Sequence, residues 1–179
     1  MKILLRRLAL FLALAALSNL LTVAALPRLI NAYVMYRIAG LAGGSNLALH
    51  APRANANART VVRPSPDLLY TACVFDVSEH PLRISAPVQN SYVSVSMFAA
   101  DTSNFFAVND AAVKPGVDGR KYFDLILTKD GTGDVPSGVQ VITAPSTKGL
   151  ILFRSLIADE AELDRLQKDF QARQQCVPI

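Results

Sequence analysis

The hydrophobic pattern divides the chain into three stretches. From Leu8 to Leu26 (LALFLALAALSNLLTVAAL) no residue carries a charge, and only Ser18, Asn19 and Thr22 weaken the apolar run. As a helix this run would span roughly 28 Å, about one bilayer hydrocarbon core. Residues 1–27 therefore read as a transmembrane anchor. The competing reading is a cleaved signal peptide, with Val23 and Ala25 as the small residues before a cut. Lys2, Arg6 and Arg7 precede the run, and Arg28 and Arg37 follow it. This balance favours an N-terminus in the cytoplasm and a single pass through the inner membrane, which leaves the rest of the chain in the periplasm.

Pro27 is expected to end or kink the span. Arg28–Leu41 then forms a second helical stretch with a broad apolar surface. Either it lies at headgroup depth, where its two Tyr and two Arg belong, or it docks on the following domain. Gly40, Gly43 and Gly44 end it, and Asn46–Arg59 reads as a tether, so residues 28–60 form an interfacial helix and linker.

From residue 61 to 179 the pattern changes to short alternating runs separated by turn residues. Expected strands are Leu68–Val77, Leu82–Ala86, Tyr92–Phe98, Phe105–Val108, Tyr122–Thr128, Val139–Thr143 and Leu150–Ile157. In Tyr92–Phe98, Val93, Val95 and Met97 share one face, and Tyr92, Ser94, Ser96 and Phe98 share the other. No helical period separates the strands. This predicts a mainly β domain, an antiparallel sandwich or Greek-key barrel. One C-terminal helix closes it, with Asp159 and Glu162 spaced as a capping box and Leu163, Leu166 and Phe170 on one face. Cys176–Ile179 runs off its end.

Charge sharpens this division. The net charge of +4 belongs to the front of the chain. Residues 28–63 hold five Arg and no acid, whereas residues 64–179 hold ten basic and fourteen acidic groups. The domain is mildly acidic, and nothing in it points to nucleic-acid binding. Membrane lipid is the partner the N-terminus implies. The two cysteines, Cys73 and Cys176, would form a disulfide in an oxidising compartment if they approach each other. Such a bridge adds up to about 4–5 kcal/mol in the chain-entropy model. Otherwise they remain two thiols, with Cys73 a small core residue.

Catalytic signatures are missing. The chain has no GxSxG, HExxH, CxxC or P-loop, so no catalytic residue, metal site or cofactor is expected. His50 and His80 sit alone in loops. Asp67 and Asp76 stand at opposite ends of one strand, about 30 Å apart if extended, too far for a shared acid–base role.

The run VVRPSPDLLYTACVFDVSEHPLRISAP followed by SYVSVSMFAADTSNFFAVN resembles the domain-of-unknown-function family 1254. The matching elements are Arg63-Pro64-Ser65-Pro66-Asp67, Leu69-Tyr70, Asp76, Asp101 with Asn104-Phe105, the Pro145-Ser146-Thr147 turn, Arg154 and Leu166-Gln167. Ser65 stands where the family has Asn, and Leu68 where a polar residue is common. The similarity covers about residues 46–175. It implies a mainly β fold and no agreed activity. Members of that family often carry a second β domain, of family 1214; this sequence lacks it, so a partner chain would supply it.

Two functions follow. The first is a membrane-tethered envelope module that binds a partner protein without catalysis. The second is an envelope hydrolase or small-ligand binder with a cleft built from Asp67, Tyr70, Asp101, Asn104 and Arg154. Arg63, Asp67 and Asp76 are expected mainly to hold the fold, with Arg63 or Arg154 pairing with Asp67, Asp76 or Asp101.

Overall fold

The computed structural model describes residues 1–58, 64–116, 119–131 and 139–179. It begins with one helix, α1, Lys2–Ala42, roughly 62 Å long at 1.5 Å per residue. The break expected at Pro27 does not interrupt it. Proline lacks the N–H that would satisfy the Val23 carbonyl. Beside that gap the Arg28 guanidinium donates to the Ala24 carbonyl, 2.8 Å away. Residues 28–42 are therefore the last turns of α1 and not a separate interfacial helix. They dock on the domain: Val34 and Met35 are half-buried and Ile38 is buried, while Asn31 Nδ2 donates to the Ala99 and Ala100 carbonyls. Gly43, at φ 90°, caps the helix, a conformation in which glycine carries no Cβ penalty. The apolar part of α1 has the length and composition of a membrane span, as an export signal also has.

Among the described residues, nine strands make two facing sheets. Sheet 1 has the order β1-β2-β8-β4-β5 and sheet 2 the order β7-β6-β3-β9. In sheet 1 these are Ala48–His50, Leu68–Asp76, Lys148–Leu156, Val93–Ala99 and Asn104–Asn109. In sheet 2 they are Gln140–Thr143, Tyr122–Thr128, Leu82–Pro87 and Gln175–Pro178. Pairing is antiparallel except between β6 and β7, which are parallel. The mainly β sandwich expected from the alternation is thus present, with one mixed sheet.

Alternation assigns the faces. Leu69, Cys73 and Phe75 of β2, Val93, Val95 and Met97 of β4, and Ile151 and Phe153 of β8 meet Leu82, Ile84, Phe123, Leu125 and Leu127 of sheet 2. Most are fully buried, each contributing roughly 1.5–3 kcal/mol by removal from water. A bulge between Met97 and Phe98 inserts Phe105 opposite β4, and its ring meets Phe75 edge-on at a centroid distance of 6.2 Å. Gly149 lies between these strands, paired with Phe75 on one side and Ala99 on the other. A Cβ there would collide with the Phe98 carbonyl and the Phe75 ring.

Two stretches read as irregular are strands. Ala48–His50, within the expected tether, forms edge strand β1 against Thr71–Cys73. Gln175–Pro178, expected to run off the end, pairs with Leu82–Ser85 as β9. Both are too short to show a period, and Pro178 argues locally against a strand. The structure joins Cys73 of β2 to Cys176 of β9, with Cα atoms 6.7 Å apart, so the disulfide crosses from one sheet to the other.

The C-terminal helical segment is irregular. A 3-10 turn at Glu160–Glu162 leads through Leu163–Arg165 into a π turn at Leu166–Phe170 and a 3-10 turn at Gln171–Arg173. Leu166 and Phe170 are buried in the core and Leu163 packs against it. The reciprocal capping box does not form: Asp159 Oδ1 accepts from the Ala161 N–H, and the Glu162 carboxylate accepts instead from Arg165 at 2.5 Å.

Candidate functional site

The residues singled out by the sequence fall into two groups at different places on sheet 1. Arg63 lies outside the described residues. Asp67 precedes β2 and is exposed. Its backbone accepts from the Ile157 N–H and donates to Ser65 Oγ, while its carboxylate makes no hydrogen bond among the described residues. The nearby cation is Arg53, whose charge Asp67 helps stabilise. Arg53 itself grips Glu160 with two bonds of 2.6 and 2.7 Å and donates to the Pro66 carbonyl. The Arg-Pro-Ser-Pro-Asp entry is therefore held by Arg53, an arginine the motif does not contain.

Further along, Tyr70 of β2, Arg154 of β8 and Ser94 of β4 stand side by side in register across three strands. They share the outer face of sheet 1, away from the core. Arg154 is half-buried and donates through Nη1 to Ser96 Oγ at 3.0 Å. No ion pair with a carboxylate forms at Arg154 among the described residues. The Tyr70 hydroxyl accepts from the Ser65 N–H. Ser94 Oγ is buried without a hydrogen-bond partner, a state that costs about 1–3 kcal/mol unless something satisfies it. A guanidinium with donors to spare beside an unsatisfied hydroxyl is suited to receiving a carboxylate or another anion.

The second group lies at the end of the sheet that α1 crosses. Asp76 Oδ1 accepts from the Ser78 N–H and Oγ, and Oδ2 pairs with Lys148 at 3.1 Å. Partial burial pushes the Asp76 carboxyl up, but the bonds from Ser78 and Lys148 outweigh it and hold the group below its ordinary value. The side chain of Asp101 accepts from Ser103 in the same way. Those bonds, with a smaller contribution from the Arg28 charge, lower its pKa. Asn104 opens β5, exposed.

The two groups do not share a cavity. Arg154 is four to six residues along β8 from the pairing partners of Phe98 and Asp76, roughly 13–20 Å. A groove of about 460 Å³ between α1 and the β4–β5 turn takes in Asp101 but none of the other expected residues. The carboxylates of Asp76 and Asp101 are therefore tied to Lys148 and Ser103, and Asp67 lies near Arg53; among the described residues none pairs with Arg154 as the sequence suggested. The reason is register: Lys148, six residues from Arg154, is the side chain that stands opposite Asp76. Among the described residues, no three His, Cys, Asp or Glu side chains come together as metal ligands.

The sequence reading also missed Asn46 and Gln171. Asn46 (φ 62°) links the end of α1 to Asp76, and Gln171 Nε2 bridges the Ala51 and Tyr70 carbonyls. Asn after a Gly-Gly pair is a local signal for the first; the second depends on tertiary placement alone.

A disulfide-bridged two-sheet domain behind an apolar helix, with Arg154 on one sheet face paired to no carboxylate among the described residues, defines a mainly β sandwich protein. The chain belongs to the family described as "Protein of unknown function (DUF1254)", whose model matches residues 45–178. Among solved structures it is similar to the VPA0106 protein from Vibrio parahaemolyticus, with 18% identity over 64% of this chain and a TM-score of 0.53. It is likewise similar to an uncharacterised protein from Burkholderia cenocepacia, with 14% identity over 83% of this chain and a TM-score of 0.53. At these identities the likeness shows the fold. The matched regions make up only 28% and 40% of those two chains. No curated protein matches the chain.

Proposed function

We propose that this protein is a membrane-tethered module of the cell envelope that binds a partner protein and does no chemistry of its own. Its N-terminus lies in the cytoplasm, α1 crosses the inner membrane once, and the sandwich stands in the periplasm. The disulfide supports export, because such bridges persist in oxidising compartments. The basic residues ahead of the apolar run support the orientation.

The partner is a second β domain of the family 1214 type, carried on another chain. What supports this reading is that the solved relatives extend well beyond the fold they share with this chain, since the matched regions make up 28% and 40% of them. The outer face of sheet 1 is the surface for that partner, with Arg154 receiving an acidic side chain and Ser94 Oγ gaining a hydrogen bond. The cleft of the hydrolase or ligand-binding alternative has less support, since Asp101 and Asn104 stand at the other end of the sheet from Tyr70 and Arg154.

The test is co-expression of the full chain with a chain carrying the family 1214-type domain, followed by purification through a tag on one of them. A stoichiometric complex is expected, and Arg154→Glu should abolish it while leaving the melting temperature of the sandwich unchanged. Failure of the two chains to associate would remove the pairing.

A further inference from the structure

We infer that α1 pairs with α1 of a second copy of this chain, parallel and in register, along a seam opposite the docked domain. The inference rests on the membrane-tethered reading above.

One face of α1 repeats at alternating steps of three and four residues: Leu12, Ala15, Asn19, Thr22, Leu26, Leu29, Tyr33, Tyr36. Positions at this spacing meet along one seam when two helices pair with a left-handed supercoil. All eight positions are exposed. At 100° per residue the seam lies roughly 150° around the helix from Asn31, Val34, Met35 and Ile38, the residues that face the domain. Two copies can thus meet through this face with their sandwiches pointing outward.

Two independent features indicate a second copy as the occupant. The first is Asn19, midway along the apolar run, whose amide makes no hydrogen bond among the described residues, whereas Thr22 Oγ1 donates to the Ser18 carbonyl. An amide in hydrocarbon without a partner is unfavourable, and another helix is the usual source of one. A parallel copy brings its own Asn19 to the same depth, where each amide donates to and accepts from the other. A polar residue at such a position also fixes register and favours pairing over larger assemblies.

The second feature lies beyond Pro27. Leu29, Tyr33 and Tyr36 are 65%, 60% and 75% exposed, and they continue the seam where the helix runs alongside the water-facing domain. A lipid surface would cover the first of these but not the last, which stands roughly 15 Å beyond Leu26 along the axis. A symmetric partner covers all of them with one operator. The Arg37 guanidinium flanks the seam and donates to Tyr33 Oη at 3.3 Å.

The experiment uses the full chain in vesicles of phosphatidylethanolamine and phosphatidylglycerol. Thr22→Cys and Tyr36→Cys should form oxidative cross-links between copies, while Leu20→Cys, at similar depth on the opposite face, should not. Asn19→Leu should weaken self-association about three- to tenfold, read by fluorescence transfer between labelled copies. Equal cross-linking at Thr22→Cys and Leu20→Cys, or membrane-integrated chains that stay monomeric, would overturn the pairing and leave the tether intact. The intact mass of protein extracted from native membranes separates the two ideas. Loss of the first 25 or so residues would remove tether and pairing together.

Discussion

Asn46 clasps Asp76 from both sides: its Nδ2 donates to the Asp76 carbonyl at 2.9 Å, and its Oδ1 accepts the Asp76 N–H at 2.7 Å. A side-chain amide here replaces one backbone step of a strand pair, and the Asn46 N–H extends it by donating to the Val74 carbonyl. The end of α1 is thereby welded to the edge of β2. Asn46→Ala leaves both backbone groups of Asp76 without this partner and forces alanine to a φ of 62°. A loss of about 1–3 kcal/mol is expected in chemical denaturation of the full chain. Asn46→Gly relieves the backbone and should lose less.

The Cys73–Cys176 bridge spans 103 residues. Replacing both cysteines by serine should lower stability by about 2–5 kcal/mol. The wild-type protein under reducing conditions should then unfold at the same denaturant concentration as the double variant. An unchanged midpoint would show that the sheets hold together without the crosslink.

Gly149→Ala is expected to abolish folding, seen as loss of the β signal in circular dichroism, because its Cβ meets a backbone carbonyl that cannot move aside. Gly40→Ala, with nothing within 4 Å of the added methyl, should fold normally and gain about 0.5–1 kcal/mol of helix propensity.

Stability should fall on the acid side partly through Asp76. Its folded-state pKa lies below that of the unfolded chain, so the bonds from Ser78 and Lys148 contribute fully above the ordinary carboxylate range. The contribution is lost as pH falls through the folded value, below about pH 4. Asp76→Asn should flatten this limb of the melting temperature against pH profile and lower stability at neutral pH.

Asp67 behaves differently. Its motif position suggested a structural carboxylate whose replacement by Asn would destabilise the domain. The exposed side chain makes no hydrogen bond among the described residues, and its backbone does the anchoring. Asp67→Asn is now expected to change stability by less than about 0.5 kcal/mol.

These cases show how far the residues alone could lead. The alternation in Tyr92–Phe98 revealed the inward face of β4 because a half-buried strand has period two. The disulfide was legible as a possibility but not as a fact, since only the approach of β2 and β9 brings the thiols together. Edge strands β1 and β9 escaped because three or four residues hold no period. The pairing of Asp76 with Lys148, and the lack of a carboxylate partner at Arg154 among the described residues, depend on a register between strands more than seventy positions apart. Local sequence carries no record of such a register. Asn19 on α1 is the opposite case: a polar residue in the apolar run is plain in the chain, but its meaning depends on knowing which face the domain already occupies.

The order of strands in sheet 1 has a consequence for biogenesis. β8 separates β2 from β4, yet it comes later in the chain than both. Whether the chain leaves a ribosome or a translocation channel, β2 and β4 emerge long before the strand that joins them. Cys73 likewise waits for Cys176. The two halves of sheet 1 therefore cannot join until β8 has been delivered, although neighbouring pairs such as β4 with β5 can form earlier.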